Sequence, residues 1–204
     1  MGHIRTGLER LLGHPDLFQW LQGILGSDNL YKTFVRVYVC PFDGAEVLDL
    51  GCGVGALWPY LDRTRYVGLD ISAAYIRAAQ KRYGDKAVFI QGDAGCFDAR
   101  ERKFDIVTAC SVLHHLDDDS AKKVIQVACQ ALKPKGRFVT LDPCLTPSSP
   151  FTAWWARFGD RGQHIRDSQG YIDLIRTQFE ATRCEIHPKL VLLPVAHCIT
   201  VSVV

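Results

Sequence analysis

Three glycines occupy alternate positions in the sequence Gly51-Cys-Gly-Val-Gly55. They follow the short apolar segment 46–50, which predicts a buried strand, and they precede a segment predicted to be helical at about 56–61. Glycine has no Cβ, so a chain that turns here can bring its backbone amides close to a ligand at the start of the helix. The loop predicts a nucleotide-type binding site, although a glycine-rich turn taken alone is also consistent with a tight turn and nothing more.

Acidic side chains follow the next two predicted strands. Asp70 ends the strand 66–70, 19 residues beyond Gly51, a separation at which a carboxylate can accept hydrogen bonds from ribose hydroxyls. Asp93, after the predicted strand 87–91, could accept from an adenine amino group. Either residue by itself could instead cap a helix or a turn. Because the carboxyl ends of parallel strands meet at one edge of a sheet, the three loops together indicate a site for an adenosine-shaped ligand.

The histidine pair His114-His115 follows a fourth predicted strand, 104–110, and therefore comes to the same edge. Imidazole titrates near neutral pH, so either ring could act as a general base toward an alcohol or amine acceptor. The alternative is that one imidazole hydrogen-bonds the backbone and holds the loop.

The segment 144–168 is rich in proline, serine, tryptophan and arginine, lacks clear periodicity, and is predicted to cover this edge. Its rings could wall an apolar or ring-shaped substrate, and its cationic groups could meet a phosphate or carboxylate. The sequence is equally consistent with rings that pack the cover down and charges that face water. The candidate substrate-binding residues are Trp154, Trp155, Arg157, His164 and Arg166.

The elements that must position these residues alternate along the chain. A fifth strand is predicted at 136–142, with helices from the N-cap Ser72 to a stop at Gly84 and over 118–132. Near-continuous apolar strands separated by helices predict a parallel sheet covered on both faces, which is a doubly wound α/β fold. The apolar face of the second helix is predicted to comprise Ala121, Val124, Ile125, Ala128 and Leu132.

A single domain over residues 1–204 is expected, because a chain of this length is too short for two full α/β domains. Its predicted parts are an N-terminal helical cover (1–44), a cofactor-binding core (45–143), the substrate cover (144–168) and a C-terminal region (169–204). A helix is predicted at 168–179, and two strands at 182–192 and 195–203.

Composition argues against several classes of function. Lysine and arginine total 24 against 22 acidic residues, a net charge of +2, and no basic run follows the pattern of a phosphate-binding tract, so nucleic acid is not an expected partner. The eight cysteines form no C-x-x-C pair, so no metal site is expected. No stretch of about 18 apolar residues predicts a membrane span, and thiols within apolar segments favour a cytoplasmic location.

Six ordered strings between residues 45 and 143 carry a family resemblance: Val47-Leu-Asp-Leu-Gly-Cys-Gly-Val-Gly55, Tyr66-Val-Gly-Leu-Asp-Ile-Ser72, Gly92-Asp-Ala94, Phe104-Asp-Ile-Val107, Val112-Leu-His-His-Leu116 and Leu132-Lys-Pro-Lys-Gly-Arg-Phe138. In this order they resemble the class I S-adenosylmethionine-dependent methyltransferases, in particular the small-molecule, methyltransferase-11/12-like group. The resemblance implies a Rossmann-like sheet of seven strands, mostly parallel with the last antiparallel, and S-adenosyl-L-methionine as the cofactor.

The resemblance also implies roles for individual residues along the cofactor. It implies, in order from the methionine portion to the adenine, Asp49 with the backbone of Gly51, Cys52 and Gly53 near the methionine, Asp70 on the ribose, Ile71 against the adenine face, Asp93 with Ala94 at the adenine edge, and Cys110 and Ser111 lining the cofactor.

The expected function is therefore methylation of a small molecule such as a sugar, lipid or secondary metabolite. One alternative is a nicotinamide-dependent oxidoreductase, because Gly51 to Ala56 also satisfies a loose G-x-G-x-x-A pattern. Against it, Asp49 just ahead of the glycines would repel a pyrophosphate, and the chain has no Tyr-x-x-x-Lys pair. A second alternative is a regulatory protein that binds the cofactor without catalysis. The sequence leaves the acceptor, the choice between His114 and His115, and the oligomeric state open.

Overall fold

The computed structural model describes residues 27–100, 102–147, 164–188, 190 and 195–204. The strands in chain order are β1 (Glu46–Leu50), β2 (Arg65–Asp70), β3 (Val88–Gln91), β4 (Phe104–Cys110), β5 (Leu132–Leu145), β6 (Arg166–Asp167), β7 (Thr182–His187) and β8 (His197–Val203). The helices are α1 (Ser27–Thr33), which continues as the π-helical segment Phe34–Val39, then α2 (Ala73–Tyr83), α3 (Asp118–Ala131) and α4 (Ser168–Ile175).

The strands form one sheet in the order β3-β2-β1-β4-β5-β8-β7, with the two-residue β6 paired to β5. Strands β1 to β5 are parallel to one another, whereas β8 runs antiparallel to both β5 and β7. The predicted doubly wound sheet with an antiparallel last strand is therefore confirmed. The strand order reverses between β1 and β4, and in such sheets ligands bind beyond the carboxyl ends of the strands at this reversal.

The sheet is apolar on both faces, as parallel strands between helices must be. Side chains on one face, such as Leu48, Val107 and Phe138, pack in a core with residues of α3 and α4. Side chains on the other face, such as Val47 and Ile106, pack in a core with residues of α1, its π-helical extension and α2.

The two long helices begin and end where the sequence predicts. The Ser72 hydroxyl accepts a hydrogen bond from the Tyr75 amide at the start of α2, and Gly84 follows its last residue. The Asp117 carboxylate accepts from the Ser120 amide at the start of α3. All five residues of the predicted apolar face of α3 are buried.

Five elements differ from the prediction by more than one residue. The predicted helix at 56–61 is replaced by turns and the single 3-10 turn Trp58–Tyr60. Pro59 lacks the amide that an α-helix needs, and β2 begins only a few residues later. Strand β5 extends beyond 136–142 at both ends, because its amino end pairs with Phe104 and its carboxyl end with β6. Helix α4 ends before 179, and strands β7 and β8 are shorter than the predicted 182–192 and 195–203.

The two predicted covers lie partly outside the described residues. Of the N-terminal cover, the structure describes α1 and the π-helical segment, whose Tyr38 hydroxyl donates to Glu185 of β7. The predictions for Trp154, Trp155 and Arg157 lie outside the described residues. No helix among the residues that the structure describes is long and apolar enough to cross a bilayer.

Candidate cofactor and acceptor site

The glycine loop lies at the carboxyl end of β1, against β2. The amides of Gly51 and Cys52 both donate to the carbonyl of Leu69, which turns the chain tightly. Gly51 has a φ of +74°, and a Cβ there would lie 2.5 Å from Val112, so packing requires glycine. Gly53 has a φ of +56°, and a Cβ built on it meets no atom within 4 Å. The loop therefore presents its backbone at Gly53 to open space, as a ligand-binding loop must.

Asp70 joins this loop to the start of α2. Its Oδ2 accepts from the Gly53 amide at 2.9 Å, and its Oδ1 accepts from the Ser72 amide at 2.8 Å. A carboxylate has about four acceptor positions, so both oxygens keep capacity for hydroxyl donors. Burial raises the pKa of Asp70, while the two amides oppose the shift. Sequence reasoning located this residue but not its bond to the loop.

Ile71, Asp93 and Ala94 lie beside Asp70 at the same sheet edge. Ile71 is 72% exposed, unusual for a large aliphatic side chain that follows a buried strand. The pairing of Asp70 with Gln91 brings the loop after β3 alongside. There the exposed Asp93 accepts from the Gly95 amide at 2.8 Å and caps the turn that begins at Ala94. These residues provide an apolar face and a carboxylate that a planar base could contact.

Asp49 is buried behind the glycine loop. Its Oδ2 accepts from the Tyr66 hydroxyl at 2.6 Å and its Oδ1 from the Thr108 hydroxyl at 2.8 Å. The pKa of Asp49 is raised to about 6, chiefly by burial and also by the neighbouring charge of Asp70, while the two hydroxyl hydrogen bonds oppose the shift. Tyr66 and Thr108 are partners that sequence reasoning missed. The pairing of Asp49 with Thr108 across β1 and β4 is the signal that reveals one of them.

The remaining predicted cofactor residues differ in what they offer. Cys52 is buried, and its side chain packs on β2, where a Cβ on Gly68 would lie 2.7 Å from the Cys52 sulfur. Cys52 therefore offers a ligand its backbone and not its thiol. Cys110 ends β4, where burial and the charges of Asp49 and Asp142 raise the pKa of its thiol. Ser111 is exposed, has a φ of +59°, and donates its amide to the Leu141 carbonyl.

His114 and His115 lie on the turn after β4 in different environments. His114 is buried, and its Nδ1 lies 2.8 Å from Oδ1 of Asp142, which also accepts from the His114 amide. The donor and acceptor roles of Nδ1 and Oδ1 in this hydrogen bond follow from the protonation of the ring and of the carboxyl group. His115 is exposed, and its ring centroid lies 3.9 Å from that of His114.

Asp142 is the partner of His114 and was not among the predicted site residues. It lies at the carboxyl end of β5 and is buried. Burial raises the pKa of its carboxyl group, and His114 opposes the shift. Its second oxygen has no hydrogen-bond partner among the residues that the structure describes.

His164 and Arg166 come to the same turn from the far end of the predicted cover. The His164 amide donates to the His114 carbonyl at 3.0 Å. The Arg166 guanidinium bonds to the carbonyls of Leu113 and Leu116 and to Asp118. These contacts hold the turn. Within the described ranges no group of three or more histidine, cysteine or acidic residues is arranged to hold a metal ion.

Comparison with known proteins adds to this geometry. The sequence model of the methyltransferase-domain family matches residues 47–136, which contain the glycine loop, Asp70, Asp93 and the histidine pair. The phthiotriol/phenolphthiotriol dimycocerosates methyltransferase of Mycobacterium tuberculosis is 31% identical over 134 residues, 63% of this chain and 47% of that protein. An uncharacterised methyltransferase of Geobacillus is 26% identical over 73% of this chain and 74% of its own length.

Most of these curated relatives are longer proteins. The chain spans 26% of the length of phosphoethanolamine N-methyltransferase 1 from Triticum aestivum and 28% of that from Arabidopsis thaliana, each of which is 26% identical.

Solved structures share the fold. Phosphoethanolamine N-methyltransferase 2 of Haemonchus contortus, in complex with S-adenosyl-L-methionine, superposes with a TM-score of 0.77 over 100% of this chain and 60% of that one, at 16% identity. At this identity the similarity is one of fold. The family match and the curated relatives make the chain similar to the class I S-adenosylmethionine-dependent methyltransferases, and the solved structure shares its fold.

Proposed function

We propose that the chain binds S-adenosyl-L-methionine at the carboxyl ends of β1 to β4 and transfers its methyl group to a small-molecule acceptor. The observation that carries this proposal is the Asp70 carboxylate, which accepts from Gly53 of the glycine loop and retains acceptor capacity beside the exposed Ile71. The open space at Gly53 fits a ligand that lies against the loop backbone.

The proposed cofactor contacts follow from the order of the loops. Asp70 accepts from the ribose hydroxyls, Ile71 covers one adenine face, and Asp93 with Ala94 meets the adenine edge. The backbone of Gly51, Cys52 and Gly53 lies along the methionine portion, where the buried charge of Asp49 favours the cationic end of the ligand. Cys110 and Ser111 line the remaining wall. The nicotinamide alternative is disfavoured because the same buried charge would repel a pyrophosphate.

When bound, the cofactor supplies a methyl group on a positively charged sulfur, so the electrophile is already activated. The chain then has to align the acceptor lone pair with the methyl carbon, exclude water and take up the acceptor proton. We assign proton uptake to His115, because its ring is exposed at the site. His114 is buried and held by Asp142, so we assign it the role of supporting the His115 ring.

Two curated relatives support a small-molecule acceptor by their names, one for phosphoethanolamine and one for phthiotriol-type lipids. We propose that the cover 144–168 contacts the acceptor through Trp154, Trp155, Arg157 and His164, while the core 45–143 binds the cofactor. All five N–H donors of Arg166 have partners in the chain, so it is not included among the acceptor ligands.

Calorimetry with S-adenosylmethionine, its demethylated product, NAD and NADP tests the cofactor. We expect binding of the first two and no comparable affinity for the nicotinamides; the opposite ranking would refute the methyltransferase proposal. A panel of small amines, alcohols and lipids, followed by release of S-adenosylhomocysteine, then tests transfer. Binding of the cofactor without turnover on any acceptor of such a panel would favour the regulatory alternative.

A further inference from the structure

The Arg166 side chain is largely buried, and the chain itself uses all of its donors. Nη1 donates to the carbonyls of Leu113 and His164, each at 2.9 Å. Nη2 donates to the Leu116 carbonyl at 2.8 Å and to Asp118 at 2.7 Å, and Nε donates to the same Asp118 oxygen at 3.1 Å. A guanidinium carries five N–H groups, so none remains for an external anion.

These contacts converge on one short turn. Leu113 and Leu116 are the residues on either side of His114 and His115, and Arg166 binds the carbonyls of both. The carbonyl between them, that of His114, accepts from the His164 amide. Asp142 Oδ1 accepts from the His114 amide and forms a second hydrogen bond with Nδ1 of the His114 ring. The turn is therefore held by hydrogen bonds to residues that are distant in sequence.

The backbone of Arg166 is held by strand pairing and its guanidinium lies near an aromatic ring. Arg166 begins β6, which pairs with the carboxyl end of β5 through Cys144, and α4 starts two residues later. Its guanidinium also lies 5.9 Å from the ring centroid of the buried Tyr171, whose hydroxyl donates to the Pro143 carbonyl. Arg166 is thus tied to the strand that carries Asp142, because β6 pairs with the carboxyl end of β5.

A role in global stability alone does not account for this arrangement. The charged partner, Asp118, is 67% exposed, and an ion pair with so exposed a member contributes little to folding. The hydrogen bonds from Arg166 to backbone carbonyls instead fix the conformation of the turn, which has few hydrogen bonds of its own.

We propose that Arg166 is a positioning residue of the acceptor site, whose planar fork holds the turn 113–116 so that His115 lies over the buried His114–Asp142 pair. The importance of this position for proton uptake rests on the proposed function of His115. The positioning itself is measurable without turnover.

Two variants and one control distinguish the contribution of the planar guanidinium from that of its positive charge. Arg166→Gln removes the cation and most of the donors. Arg166→Lys keeps the charge but replaces the planar fork with a single ammonium, which cannot reach both turn carbonyls and Asp118 at once. Arg176→Gln is the matched control, since this arginine lies at the end of α4 and is exposed.

The first measurement is amide hydrogen exchange. The amides of His115, Leu116 and His164 donate within or onto the turn. In Arg166→Gln and Arg166→Lys we expect these three to exchange at least ~10-fold faster, with amides of β4 unchanged, because local opening becomes easier. Arg176→Gln should match the wild type. Unchanged exchange at the turn in folded Arg166→Gln, or full protection in Arg166→Lys, would overturn the proposal.

The second measurement is kinetic and uses any acceptor found in the screen. We expect kcat to fall roughly 10- to 100-fold in both Arg166 variants, with the affinity for S-adenosylmethionine unchanged, because a misplaced base costs rate and not cofactor binding. The pH dependence of kcat should also shift, since His115 loses its fixed surroundings. An equal loss of cofactor affinity would indicate a merely structural role.

If Arg166→Gln does not fold, Asp118→Ala decides the question, because it removes the oxygen that accepts from two N–H groups of the fork and orients it. Faster exchange at the same three amides supports the proposal, and unchanged exchange there contradicts it. Wild-type protein that binds no S-adenosylmethionine would refute the proposed function while leaving the exchange test intact.

Discussion

At the residue scale, we expect cofactor binding to depend most on the side chain of Asp70. Asp70→Ala should raise the dissociation constant for S-adenosylmethionine by roughly 5- to 150-fold, about 1–3 kcal/mol, because ribose hydroxyls and the Gly53 amide lose a charged acceptor. Calorimetry measures the effect. Asp85→Ala, an exposed carboxylate just beyond α2, is the control and should bind like the wild type. Unchanged affinity in folded Asp70→Ala would refute the ribose assignment.

The raised pKa of Asp49 predicts that the free energy of unfolding depends on pH. The folded state raises its pKa from 3.8 to about 6, so between these values the folded protein binds more protons than the unfolded chain. The free energy of unfolding contributed by this group is therefore highest below pH 4 and falls as the pH rises toward 6. The shift corresponds to about 3 kcal/mol. Such a cost is expected where a buried charge has a functional partner.

The test compares wild type with Asp49→Asn, which keeps a hydrogen-bonding amide without the charge. Urea unfolding at pH 4, 5, 6 and 7 should show the variant gaining stability relative to wild type as the pH rises, with a plateau above 6. Stability is compared between the two proteins at each pH because a second buried group also titrates in this range. The pKa of His197 is lowered to about 4, chiefly by burial, so its contribution to the free energy of unfolding falls as the pH falls, opposite to that of Asp49. A difference independent of pH would contradict the assignment of the raised pKa to Asp49.

At the scale of elements, a comparison of Gly53 in the glycine loop with two glycines outside the loop distinguishes the effect of backbone strain from the effect of ligand contact. Gly53, Gly44 and Gly84 all have positive φ, and a Cβ on any of them meets no atom within 4 Å. Replacement by alanine should cost each on the order of 1–2 kcal/mol of stability, through backbone strain. Only Gly53→Ala should also weaken S-adenosylmethionine binding, by roughly 10-fold or more, because its methyl group enters the ligand space. Similar affinity in all three folded variants would show that the cofactor lies elsewhere.

At the scale of the whole molecule, activity should not depend on a metal ion. The described residues contain no cluster of three metal-binding side chains, and the eight cysteines are free thiols. Methyl transfer from a sulfonium needs no Lewis acid, because the leaving group is already charged. Protein dialysed against EDTA should therefore release S-adenosylhomocysteine at the untreated rate. Loss of activity that a divalent ion restores would contradict this prediction.

The element order and much of the cofactor edge were predictable from local patterns. Strands β1 and β4 match their predicted bounds, and α3 matches within one residue, because apolar periodicity and capping residues lie within each element. The helix predicted after the glycine loop was wrong. Pro59 lies within an otherwise helical pattern there, and the backbone forms only a 3-10 turn.

The sequence by itself determined the fold class, the glycine loop and the strand-end positions of Asp70, Asp93 and the histidine pair, because these depend on residues that are neighbours in the chain. Only the tertiary structure decided the partners: Tyr66 and Thr108 on Asp49, Asp142 on His114, and Arg166 on the histidine turn. These pairs are separated by 17 to 59 residues. They meet because the pairing of β1 with β2 and β4, and of β5 with β4 and β6, brings distant side chains together, and no local pattern in the sequence determines that register.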